Sequence, residues 1–260
     1  MASDFSKRRP EEILQEDAAA DYKENMDYFH VKLSELHHNI YFVQRILDFP
    51  LDIFTAPGED YFLGFVVQNF LQISVLQITK LATDTGGKAR TLKRFKNFMG
   101  TSVKEEHQAD YRRLLKQAGF SPRVDALIKT AKLLRDKHIA HSEEFEEDIG
   151  PLTFAEIKEI IRELTSLFEV ASFSTEYRYL MIPYDPIVLR ARGTDPRPDI
   201  EKILDGVARD SSVLRLPETR AAAWPYSKGK WSEEKAKRFN TYRRKFGLPV
   251  LCRKPAVAQS

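Results

Sequence analysis

The thiol chemistry of this chain is limited to one cysteine, Cys252, in 260 residues. An intramolecular disulfide framework and a multi-cysteine zinc site are therefore excluded, which suits a reducing, cytoplasmic setting. Glycine is scarce, with 11 residues, and apolar residues recur at helical rather than alternating spacing, so helix is favoured over sheet. No long apolar run is uninterrupted. The most apolar stretch, residues 61–82, carries Gln68, Asn69, Gln72 and Gln77. A membrane helix needs about 20 mostly apolar residues, so a buried core helix and no membrane partner are expected. Lys7, Arg8 and Arg9 are not followed by an apolar segment, and no secretory signal is expected. An excess of charge of one sign is nearly absent, 41 Lys and Arg facing 38 Asp and Glu for a net value of +3, with 42% hydrophobic and 30% charged residues. Those proportions describe a soluble globular chain. The small excess is concentrated: residues 220–254 hold eleven Lys or Arg against two Glu.

The order of helix starts and stops predicts a bundle. Pro10 with Glu11 and Glu12 suits a first helical turn. A helix is expected from there to about Phe49, fraying near 17–21, with Leu33, Leu36, Ile40, Val43 and Leu47 on one apolar face. A central helix follows over about 59–83. The next are a short one over 91–99 stopped by Gly100, and a polar one over 103–118 ended by Gly119. Ser121-Pro122 reads as a cap and first turn, with Val124, Leu127, Ile128, Ala131, Leu134 and His138 sharing a face. Thr153 and Glu156 form a capping box for a helix of about 25 residues reaching towards Pro183. Beyond Pro186 prolines punctuate shorter segments, so the expected division is a helical domain over 10–185 and a small basic extension over 198–254.

The chemistry lies in Arg135-Asp136-Lys137-His138-Ile139-Ala140-His141-Ser142. A guanidinium grips a phosphate with its planar fork, and an imidazole exchanges protons near neutral pH. Six residues along an ideal helix advance about 9 Å and leave a net rotation of about 120°. Arg135 and His141 therefore share a concavity only through the long arginine side chain, a loosened last turn or a second subunit. The plainer reading is that Lys, Arg and His in a final helical turn complement the helix dipole. His138, on the apolar face, reads more simply as a packed histidine. His138 and His141 near Glu143, Glu144, Glu146 and Glu147 also permit a metal reading, but zinc asks for three or four well-placed ligands. The acidic run is more simply a solvated loop, and no metal or cofactor is expected. His37, His38 and His107 are read as surface residues.

An Arg-polar-x-x-x-x-His run late in a helical bundle resembles the HEPN superfamily. Together with Leu81-Ala82-Thr83-Asp84 and the Ile-Ala-His-Ser ending, it is similar to AbiU-type HEPN proteins of bacterial abortive infection. The resemblance covers about residues 20–182. It implies an all-α, up-and-down HEPN-like bundle with the basic, proline-punctuated extension outside it. It also implies a homodimer in which Arg135 and His141 of both protomers line one cleft. Active members are metal-independent endoribonucleases, toxins or phage-defence effectors, some with an antitoxin partner; others only bind. On that footing Arg135 and His141 are the catalytic candidates, Asp136 supports them, and Lys137 and His138 hold the RNA backbone. RNA is the implied substrate because it alone carries the 2′-hydroxyl. The alternative is a non-catalytic helical module that binds a partner protein or nucleic acid.

The extension has two readings as well. Trp224, Tyr226, Trp231, Phe239, Tyr242 and Phe246 lie among lysines and arginines that include Arg243 and Arg244. Aromatics within positive charge suit single-stranded nucleic acid, with Arg243 and Arg244 as contacts. The plainer and favoured reading is a small helix docked through Phe239, Tyr242 and Phe246 with its charges in water, its outer face contacting RNA as an extra.

Overall fold

The computed structural model describes residues 9–49, 61–84, 89–117, 119–139, 151–172, 199–210, 233–248 and 250. Among them every regular element is helical, and no strand occurs. The elements are α1 (Pro10–Ile13), a 3-10 turn (Glu16–Ala18), α2 (Ala19–Asp48), α3 (Tyr61–Ala82), α4 (Leu92–Ser102), α5 (Glu105–Gln117), α6 (Pro122–Leu134) with a π turn (Arg135–Ile139), α7 (Phe154–Ser172), α8 (Asp199–Asp210) and α9 (Glu233–Lys245). The chain forms two compact units, one of residues 1–41 and 68–185, the other of 42–67 and 186–260. It passes between them after Tyr41, Val67 and Asp185.

In the larger unit α7 is the hub, packing against α4, α5 and α6. Ile157, Ile160, Ile161, Leu164, Leu167, Phe168 and Ala171 recur at three and four along it and are all buried, the stripe a core helix needs. Phe29, Phe95 and Phe168, from α2, α4 and α7, sit with ring centroids 5.2–5.8 Å apart at the centre of that core.

Local signals place the helix starts. The Ser121 hydroxyl accepts from the Val124 amide at 3.3 Å, with Pro122 in the first turn. The Glu163 carboxylate accepts from both the amide and the hydroxyl of Ser121 at 2.9 Å, which ties α6 to α7. Thr153 and Glu156 form the reciprocal capping box, at 2.8 and 3.3 Å.

Three expectations change. The first helix does not run unbroken: Leu14 leaves helical geometry to pair with Val103, and the Gln15 amide donates to the Ser102 carbonyl at 2.9 Å. Gly100 does not stop α4, which continues to Ser102; a glycine lowers helix propensity without forbidding the conformation. Thirdly, α3 is buried on one side only. Ser74, Val75, Ile78, Thr79 and Leu81 face the core, while Phe62, Phe65, Ile73 and Leu76 are exposed. This helix is long and apolar enough to cross a membrane by length and composition, with 28% of its most apolar window buried.

In the smaller unit, Val43, Ile46, Phe49, Leu63, Ile200, Leu204, Ala208 and Phe239 are buried. Arg45 pairs with Glu201, and Lys245 Nζ lies 2.5 Å from the buried Asp205 carboxylate. The Tyr242 ring meets Phe49 edge-on at 5.5 Å and stacks on Phe246 at 6.4 Å. α9 closes on Gly247, whose φ of +69° only glycine adopts freely. There the Leu248 amide donates to the Arg243 carbonyl and the Gly247 amide to Arg244, at 2.8 and 3.0 Å, a Schellman cap.

Candidate functional site

Arg135 stands where α6 gives way to the π turn. Its own amide is shared between the carbonyls of Ala131 and Lys132, and the chain then widens over Arg135–Ile139. Single π turns inside helices are rare and concentrate at functional sites. The winding is thus loosened at the start of the motif.

The guanidinium is held by two carboxylates. Nη1 donates to Asp84 Oδ1 and Nε to Asp136 Oδ1, both at 2.7 Å. The Arg135 side chain is 21% exposed, Asp84 34% and Asp136 46%. The bond to Asp136, then that to Asp84, raises the arginine pKa further against the opposing cost of burial, so the charge is permanent.

Asp84 closes the Leu81-Ala82-Thr83-Asp84 run and was given no role in the site. It follows the last turn of α3, where the Thr83 hydroxyl and amide both donate to the Thr79 carbonyl. A carboxylate just past a helix C-terminus is disfavoured by the helix dipole. That misplacement was the signal available in the sequence, and it is relieved by a cation arriving from 51 positions later.

Of the expected site residues, Arg135 and Asp136 are brought together, and Lys137 is half-buried beside them in the π turn. His138 has its backbone in that turn. Its side chain, together with His141 and residues 143–148, lies outside the described residues. Among the described residues no group of three or more His, Cys, Asp or Glu is placed to hold a metal ion.

The basic helix α9 splits its two candidate arginines. Arg243 is 1% exposed, with its guanidinium 5.9 Å above the Phe239 ring, so it offers no surface to a phosphate. Arg244 is exposed, as are Lys237 and Arg238. The aromatics of this helix pack inward, as the docking reading required. Trp224, Tyr226 and Trp231 lie outside the described residues.

A second concave feature was missed because its histidine read as a surface residue. His37 lies in a groove of about 650 Å³ between α2 and α7, lined also by Ile40, Ile161, Arg162, Thr165 and Ser166. Its Nε2 is 2.9 Å from Thr165 Oγ1. The Thr165 hydroxyl already donates to the Ile161 carbonyl at 2.8 Å, so the imidazole is the donor in that contact. Burial, with His38 adding a smaller effect, holds the His37 pKa below its ordinary value. His107 is likewise only 12% exposed, beside Glu106 at 3.2 Å.

No family model matches the sequence, and comparison with curated proteins and with solved structures finds no match.

Proposed function

We propose that this chain is a metal-independent endoribonuclease of the HEPN type, related to AbiU-like abortive-infection proteins and acting in a bacterial cytoplasm as a toxin or phage-defence component. The observation that carries the reading is the π turn opening at Arg135, which interrupts the helix at the motif and nowhere else among the described residues.

In this reading two protomers bring their motif turns to one cleft. Arg135 holds the scissile phosphate and balances the charge that develops on it. One His141 takes the proton of the ribose 2′-hydroxyl as its oxygen attacks phosphorus. The His141 of the second copy returns a proton to the departing 5′-oxygen, leaving a 2′,3′-cyclic phosphate and a 5′-hydroxyl. Asp136 fixes the arginine, while Lys137, His138 and the outward Arg244 add affinity for the backbone. No metal or cofactor enters these steps, and an antitoxin is a natural further partner.

A specific observation favours a second reading. Both carboxylates around Arg135 neutralise it, which suits an arginine that staples helices in a non-catalytic module binding a protein or nucleic acid. Incubation of the purified chain with mixed-sequence RNA in EDTA separates the two. Cleavage that persists with chelator and vanishes in folded Arg135→Ala and His141→Ala is expected. Cleavage indifferent to both substitutions removes the assigned roles, and tight RNA binding without cleavage selects the second reading.

A further inference from the structure

We propose that Asp84 is the positioning residue of the site: it sets the plane of the Arg135 guanidinium and competes with phosphate for it. This rests on the reading of Arg135 as the phosphate-binding group.

A guanidinium carries five N–H groups in one plane. Asp136 takes Nε and Asp84 takes Nη1, so Nη2, between them, is engaged by neither carboxylate. Two acceptors on different nitrogens fix the plane and its rotation about the side-chain axis, which one acceptor does not. What remains for a ligand is Nη2 and the second hydrogen of Nη1. These make up the end-on fork that a phosphate oxygen pair can take, provided Asp84 yields part of its hold on Nη1.

Electrostatics gives the same partition. Asp84 follows the C-terminal end of α3, and Arg135 caps the C-terminal end of α6. Both helix ends carry partial negative charge. With two aspartates paired to it, the charge of the guanidinium is already offset. A phosphodiester therefore meets an arginine that is correctly aimed but electrostatically occupied. Asp136 is adjacent in sequence and moves with the arginine, whereas Asp84 belongs to another helix and is the contact whose release opens the fork.

The test uses full-length wild type with Asp84→Asn, Asp84→Ser, Asp84→Glu and Asp136→Asn, each checked for fold by circular dichroism and thermal melting. Cleavage of an RNA oligonucleotide gives kcat and KM. Fluorescence anisotropy with the uncleavable 2′-deoxy version of the same strand gives Kd. The Arg135 Nη–H signals in low-temperature nitrogen-15 NMR report whether rotation of the Nη1 group is arrested by Asp84. Asp84→Asn and Asp84→Ser are expected to lower kcat about tenfold while tightening Kd by roughly threefold, with loss of the slowed Nη1–H signal and the Nε–H bond to Asp136 retained. Asp84→Glu is expected to restore most of kcat. A residue that merely stabilises the fold would shift melting and leave kcat and Kd of the folded protein within about twofold; that result, or weaker binding in Asp84→Asn, overturns the proposal. Absence of cleavage by wild type sinks the nuclease reading alone. The clamp then stands or falls on the 2′-deoxy strand and the Nη1–H signal, and no change in either on replacing Asp84 rejects it.

Discussion

The hydroxyl of Tyr22 donates to the carbonyl of Ser172 at 3.1 Å, and that of Tyr111 donates to the adjacent carbonyl of Ala171. The described part of α7 runs to Ser172, and two tyrosines, from α2 and α5, donate to its last two described carbonyls inside the core. Replacing either by phenylalanine keeps the ring and removes a buried hydrogen bond, at a cost of about 1–2 kcal/mol each. Urea unfolding of Tyr22→Phe and Tyr111→Phe measures this. Midpoints equal to wild type for both would show that water replaces the hydroxyls freely.

The same burial makes the fold sensitive to alkali. Tyr111 has its pKa pushed far above the ordinary 10.0 by desolvation, with Tyr22 adding in the same direction. The unfolded chain releases this proton near pH ~10 while the folded chain keeps it. The contribution of Tyr111 is therefore complete below that pH and is lost progressively above it. Stability measured from pH 9 to 11 should fall, and less steeply in Tyr111→Phe. An identical slope in the two proteins would contradict the assignment.

Acid acts through α2. His30, His37 and His38 all have their pKa lowered, in each case chiefly by burial. A histidine held neutral in the fold but free to charge when unfolded contributes stability above pH ~6.5 and loses it as pH falls towards the lowered folded value. NMR titration should place the His37 midpoint below that of a free imidazole. His37→Gln should flatten the acid limb of the stability curve. A His37 midpoint at or above the ordinary value refutes this.

The two neighbouring arginines of α9 should behave oppositely. Arg243→Ala removes a buried side chain packed on Phe239 and is expected to lower stability by about 2–4 kcal/mol. Arg244→Ala leaves folding unchanged and, if this helix meets RNA, reduces the salt dependence of binding by about one counterion. A salt slope unaltered by Arg244→Ala removes α9 from the RNA contact surface.

What the sequence disclosed was local. Ser121-Pro122 and Thr153 with Glu156 announce helix starts because donor and acceptor lie three positions apart, and both occur where expected. The stripe of α7 was readable for the same reason: its periodicity belongs to one helix. Contacts that need two distant segments were not readable. Nothing near Leu14 signals Val103, 89 positions later. The composition of α3 describes its apolarity but not which side the bundle covers, so half its face was wrongly placed in the core. In the candidate site, Arg135 and Asp136 stood out as a cluster. Asp84 stood out only as the end of the Leu81-Ala82-Thr83-Asp84 run, because its partner cation lies 51 positions later.

The π turn alters how the motif should be measured. Removing one residue between Arg135 and Ile139 would let the helix return to its regular winding and swing everything after it by about 100° about the axis. Counting positions across Arg135–Ile139 as if on an ideal α-helix is thus a poor ruler for the angle between groups on the two sides of the turn.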